Sequence, residues 1–348
     1  MRRDNLVGLA STTIVTAMLL AACSGSEQVG SPVSPMSANA PQQLSASGSR
    51  VQNALSGISS ATIFGPDNEK GMTYIAPIGT TTVYGYSRNN RTNQPPVCTV
   101  SPFVSVNGGI GVDQSGNLWV PDMGAGPPRT ITEYGPDCGA AKTVLSDPGD
   151  VGPDNVAFDT DGHVYVSNAF ANSGAAGNIL QYTGTSITKT LSDPDIATPQ
   201  GLAVDHRNNV WVSYRDPDST GTYVAEFRRG NMPAKLFKNI SLGFPGSLQF
   251  DRHQNLMGPN GNFSSLDIYA PPYTETNPTK RLILENGKVT DPTMCTLGPD
   301  QGRLYCTFGF FSLVNVFSYP AGKFLYTYNN GLAGLEPEGI ANDPAPRN

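Results

Sequence analysis

Glu338, Asp154, Asn155 and Gln200 are the residues of this chain whose types and spacing could do chemistry together. An aspartate recurs at Asp113, Asp159, Asp205, Asp251 and Asp343. The place five residues before it is filled by Gly108, Asp154, Gln200, Gly246 and Glu338, and Asn155 directly follows Asp154. If the repeat winds these places around one axis, their side-chain oxygens meet in a single cavity. Oxygen-only ligands favour a hard divalent cation, and calcium (Ca2+) is the candidate cofactor. The plainer reading is that Glu338 and Gln200 fill the variable slot of Pro199-Gln200-Gly201 and Pro337-Glu338-Gly339. No catalytic residue can be assigned. The chain has no Ser-His-Asp ordering, no phosphate-binding glycine loop and no His-x-x-x-His pair.

The elements that must position these residues are written in the repeat itself. It reads GIGVDQSGNLWV from Gly109, NVAFDTDGHVYV from Asn155, GLAVDHRNNVWV from Gly201 and SLQFDRHQNLMG from Ser247, and the first four aspartates are 46 residues apart. Two short apolar runs flanking a polar turn are the pattern of a β-hairpin. A third run follows at 129–134, 178–182, 223–227 and 266–269, and a fourth at 142–145, 188–191 and 235–237. Four strands in a unit of this length make a β-propeller blade. The aromatic positions Trp119, Tyr165, Trp211, Met257 and Tyr305 step by 46, 46, 46 and 48 residues. Counting back 45 from Trp119 reaches Tyr74, in a second strand that has no first strand before it. The missing strand stands at the other end of the chain, in 338–343. The sequence therefore predicts an all-β, six-bladed propeller of four-stranded antiparallel blades, closed by the C-terminal strand joining the N-terminal blade.

The repeated aspartates open the turns between first and second strands, where an Asp side chain caps backbone N–H groups. The repeated aromatics are expected to pack between neighbouring blades. His163, His206 and His253 fall in or beside the same turns, on the face opposite the usual binding face, and are not expected to form a joint site.

The Pro-x-Gly-aliphatic-Ala-Val-Asp signature, followed by Gly-Asn-aliphatic-aromatic-Val, resembles the NHL-repeat propellers. Pro199–Asp205 and Pro337–Asp343 are its nearest copies, and the resemblance runs over residues 62–348. It implies a fold and not an activity, because propellers host binding modules, lactonases and lyases alike. The rim of Glu338, Asp154, Asn155 and Gln200 also resembles that of gluconolactonase-like (SMP-30-type) propellers, in which Glu and Asn/Asp residues hold a divalent ion. Two rim places here are glycine, which departs from that pattern.

Ahead of the repeats, Arg2 and Arg3 precede a moderately apolar run and then Leu20-Ala21-Ala22-Cys23. These four residues resemble the bacterial lipobox. The resemblance implies a signal peptide over residues 1–22 and a lipidated Cys23 (palmitate among its acyl chains), which would hold the chain at a membrane surface. Residues 23–60, rich in Ser, Ala, Gly, Pro and Gln, then read as a flexible tether, and 61–348 as the propeller. Export permits disulfides. Cys295 and Cys306 are expected to oppose each other in one hairpin, and Cys98 and Cys138 to join the outer strands of adjacent blades. Four free thiols are the alternative.

A net charge of −6 argues against nucleic acid as a partner. Varied loops between second and third strands are where ligands bind on such a scaffold. Asp122, Asn168, Arg215, Asp216, Asn260 and Phe310 are the candidate binding residues there. The chain thus reads as a lipid-anchored, extracytoplasmic envelope protein, monomeric, binding a protein or small-molecule ligand through its loop face. The alternative is a divalent-cation-dependent enzyme of gluconolactonase-like or lyase type, and a passive scaffold is a third reading.

Overall fold

The sequence expectation of short strands broken by Gly, Asn and Asp turns is met throughout a computed structural model of the chain. It describes residues 71–343, apart from 89–92, 102, 104, 107, 125–128, 149–150, 172–175, 219–220, 245, 285 and 288. Cys23, the signal segment and the tether therefore lie outside the described residues. Six four-stranded antiparallel sheets form the six blades, in a ring with almost no helix. Blades two to six follow chain order, with inner strands Gly111–Val112, Val151–Phe158, Thr198–Val204, Gln249–Phe250 and Cys295–Leu297. Blade one takes three strands from the start, Met72–Pro77, Val83–Ser87 and Cys98–Val100. Its inner strand, Pro337–Asn342, comes from the end of the chain, with Tyr74 paired to Ala341.

That closure reproduces across the whole ring a hydrogen bond that blades two to five make within one turn. Asp113 Oδ1 accepts the backbone N–H of Asn117, and Asp251 Oδ1 that of Asn255. In blade one, Asp343 Oδ1 accepts the N–H of Met72, 271 residues away in sequence (2.7 Å). The same carboxylate pairs with Arg88 (2.8 Å), whose side chain is 1% exposed.

The core is not one mass but six clusters, one at each blade–blade interface. Each repeated aromatic position packs against the following blade, as expected. Tyr74 lies with Leu118 and Val120, Trp119 with Val156 and Val166, and Tyr165 with Leu202 and Val212. Trp211 lies with Leu248 and Leu256, Met257 with Leu304 and Phe317, and Tyr305 with Ile75 and Ile340. Near the axis the blades approach backbone to backbone. A Cβ added to Gly339 would fall within 3.0 Å of Gly108 O, and one on Gly201 equally close to Gly246 O.

Both predicted disulfides are present. Cys295 and Cys306 are register partners on adjacent strands, 4.1 Å apart at Cα. Cys98, in the outer strand of blade one, is bonded to Cys138, in the turn before the outer strand of blade two. Two disulfides point to a compartment outside the cytoplasm. Among the described residues no helix is long and apolar enough to cross a membrane.

Asp343→Ala removes the carboxylate of a buried ion pair that joins the chain ends, and should cost roughly 3–5 kcal/mol in urea unfolding. Asp300→Ala, on an exposed turn, is the control, with an expected change within about 0.5 kcal/mol. Equal effects from the two would show that closure does not depend on Asp343.

Candidate functional site

Each inner strand starts at one mouth of the ring and ends at the turn to the second strand, which in every blade but the sixth carries the repeated Asp. A narrow channel of about 160 Å³ runs between the inner strands and is lined by Val112, Val156, Leu202, Gln249, Thr296 and Asn342, one from each blade. Glu338, Asp154, Asn155 and Gln200 stand at the starts of these strands or within them, in blades one, three and four.

Glu338 and Asn155 approach blade two from opposite sides, each against a glycine. Glu338 Oε2 would lie 3.3 Å from a Cβ on Gly108, and Asn155 Nδ2 2.5 Å from a Cβ on Gly109. A larger residue at either place would displace them. The Glu338 carboxylate makes no hydrogen bond or ion pair among the described residues. Burial first, and then repulsion from Glu336, push it up to about 7. Gln200 is anchored by its main chain, whose O accepts from Ser167 Oγ (2.5 Å). Its Oε1 is buried without a hydrogen-bond partner. Asp154 and Asn155 are buried. The donor types fit a hard cation. Even so, four side chains fall short of the roughly 6–8 oxygens that calcium takes, and water or substrate would have to supply the others.

The repeated Asp residues are structural. Asp113 and Asp205 each accept two backbone N–H groups, an Asn amide and an indole N–H, from Trp119 (3.0 Å) and Trp211 (3.2 Å). Asp159 does the same with Tyr165 OH and His163 Nδ1. Asp159, Asp161 and His163 lie close enough to offer one ligand atom each to a metal ion. Both Asp159 oxygens are already occupied by the turn, so an ion there would compete with the hydrogen bonds that shape it. Contrary to the expectation that the histidines stay apart, His163 and His206 line one crevice of about 430 Å³ between blades three and four.

On the opposite face, four of the candidate binding residues differ in setting from their sequence reading. Asp122, Asn168, Arg215 and Asn260 lie in second strands, which extend further than expected, and not in the loops after them. Asn168 and Asn260 are buried, with amides donating to Asn178 Oδ1 and Asp267 Oδ2. Asp122 accepts the N–H groups of Ser105 and Gly124, and Asp216 that of Gly221. Arg215 is exposed, with its guanidinium 5.7 Å from the Phe244 ring.

Phe310 is 82% exposed, on a 3-10 turn Gly309–Phe311. The equivalent turn of blade five, Gly261–Phe263, ends on Phe263, 54% exposed. That ring is held from behind. Arg281 lies 3.9 Å over it and forms two hydrogen bonds with Asp267, which is fully buried and also accepts from Asn260 and Ser265. Sequence reasoning missed Arg281 and Asp267, because a charged pair in a third and fourth strand carries no motif. It also missed Ser167, Ser213 and Thr307, whose hydroxyls donate to the carbonyls of Gln200, Gly246 and Glu338 in the next blade. Their place, two residues after the repeated aromatic, is a signal that alignment of the repeats exposes.

Comparison with known proteins bears on the fold. No protein-family model matches the chain, and no curated protein matches it in sequence. A chain of a nidogen/laminin complex superposes with a TM-score of 0.61 at 17% identity, over 79% of this chain and 98% of that one. A protein of unknown function from Bacteroides caccae gives 0.59 at 10% identity, over 79% and 99%. A gluconolactonase from Xanthomonas campestris gives 0.48 at 17% identity, over 70% and 85%. The class of protein is thereby a six-bladed β-propeller.

Glu338 ties stability to pH. Its native carboxyl titrates above its unfolded value, so the native state holds the extra proton between about 4.5 and 7 and stability falls as pH rises through that window. Glu338→Gln should therefore stabilise the protein at pH 8, by up to about 3 kcal/mol, and leave it unchanged at pH 4. Thermal melts at the two pH values check this, and an equal shift at both would contradict it.

Proposed function

We propose that this chain is an envelope lipoprotein whose propeller binds a protein or small-molecule ligand through the face where the inner strands begin. Residues 1–22 act as its signal peptide, lipidated Cys23 as its anchor, 23–60 as its tether and 61–348 as the binding domain. The observation that carries the reading is the paired aromatic turns. Two neighbouring blades hold a phenylalanine out in water on equivalent 3-10 turns, Phe263 at the third place of one and Phe310 at the second place of the other, and Phe263 is braced by Arg281, which is paired to the buried Asp267. Exposed aromatic side chains on rigid supports are the usual anchors of binding surfaces. The test uses membranes carrying the full chain and chemical cross-linking in place. The double variant Phe263→Ala/Phe310→Ala should keep its melting temperature and lose the cross-linked species formed by the native chain. Cys23→Ser should move the protein to the soluble fraction. Cross-linking unchanged by the double variant would sink the loop-face reading.

A second reading, a divalent-cation-dependent enzyme, is favoured by one observation, the Glu338 carboxylate held over Gly108 without a partner. A cation there would be held by Glu338, with Asp154, Asn155 and Gln200 as the other candidate donors, and would supply charge to polarise a bound carbonyl. Calcium should then raise the melting temperature of the native chain and not that of Glu338→Gln, with chelator reversing the gain. An identical melt with calcium and with chelator removes the reading.

A further inference from the structure

On the turn face, opposite the proposed binding loops, blade five departs from the repeat and a cavity opens beside it. In blades two to four the residue six places after the repeated Asp is aromatic, donates to that Asp and lies across from a polar partner. The pairs are Trp119 with Glu133, Tyr165 with Gln181 and Trp211 with Glu226. Between blades four and five, Trp211 fills the crevice, stacked on Phe237 (5.0 Å between centroids) and meeting Phe250 and Tyr273 edge-on.

Blade five replaces this pair with Met257 and Ile268. The Met257 side chain has no N–H or O–H, so the Asp251 carboxylate takes its fourth donor from outside the blade, from Tyr319 OH of blade six (2.8 Å). With His253 N–H, Asn255 N–H and the Asn255 amide, that carboxylate is fully supplied. Met257 is itself buried in the blade interface and does not line the crevice. The result is a crevice of about 680 Å³ between blades five and six, floored by Ile268, Tyr319 and Asp251. Its volume is in the range of small-molecule sites, roughly 300–1,000 Å³. Arg252, His253 and Lys280 stand on its rim and are exposed, facing one rim carboxylate, Asp300. Lys280 is oriented by Pro320 O (2.6 Å), and Arg252 N–H by Gln301.

We propose that this crevice binds a flat, bicyclic aromatic ligand carrying a negative charge. The ring lies on Ile268 and Tyr319, beside the position where blades two and four carry tryptophan and blade five carries Met257. The anionic group meets Arg252 and Lys280. The floor offers little to an aliphatic polar ligand, because the Asp251 oxygens are already supplied and Ile268 is apolar. The proposal is independent of the loop-face reading.

The probe is indole-3-acetate, titrated into the purified chain and followed by ligand-observed NMR, with indole and tryptamine as comparisons. Indole-3-acetate should bind with a dissociation constant below about 1 mM, and tryptamine at least about tenfold more weakly. Met257→Trp restores the repeat, fills the crevice and should abolish binding of all three. Should that variant fold poorly, Arg252→Glu/Lys280→Glu changes only exposed side chains. It should keep the melting temperature, weaken indole-3-acetate by about tenfold or more and leave indole unchanged. No saturation of the native chain at about 5 mM overturns the proposal, as does binding that survives a folded Met257→Trp or favours tryptamine.

Discussion

The ring depends on backbone contact between neighbouring inner strands. At Gly201 and Gly339 the next blade's carbonyl occupies the space of a Cβ. With blades this close, a hydroxyl at the end of a second strand reaches the neighbouring main chain, as Ser213 reaches Gly246 O and Thr307 reaches Glu338 O. Backbone groups near the axis thereby find partners without water. The same contact leaves only a narrow channel and places the starts of the inner strands around it. Glu338 is half-buried for that reason, and its raised carboxyl is a consequence of ring closure as much as of its own chemistry.

Six separate clusters, one per interface, mean that no blade has a core of its own. A blade is a single sheet and buries its faces only against its neighbours. The ring therefore closes by pairing the two chain ends in one sheet. The repeated Asp is reused there, with Asp343 capping Met72 and holding Arg88. The disulfide from Cys98 to Cys138 ties blade one to blade two on the other side. Blade one is thus held twice, at its inner strand by an ion pair and at its outer strand by a covalent bond.

Departures from the repeat carry the functional interest, because the repeated residues are committed to the scaffold. Asp113, Asp159, Asp205 and Asp251 have the composition of a metal site and the hydrogen bonds of turn caps. Phe263 and Phe310, by contrast, serve no interface and stay in water. The face of the ring at the channel mouth combines these rings with a carboxylate that has no partner among the described residues, and on the turn face a crevice lies beside the methionine that stands where blades two and four have tryptophan.

Much of this was legible in the sequence. Spacing alone predicted six blades, the closing strand, the turn role of the aspartates and the Cys295–Cys306 pair. Each of these rests on contacts within a hairpin or on a period that a count of residues reveals. Tertiary structure decided what lies between residues that counting does not relate. It buried Asn168 and Asn260, which composition had placed in loops, because second strands continue to the edge of the sheet and their amides pair across it. It brought Arg281 under Phe263 and Tyr319 to Asp251. Those contacts form between strands or between blades, where the side chain nearest in space belongs to a residue whose position only packing of the closed ring can set.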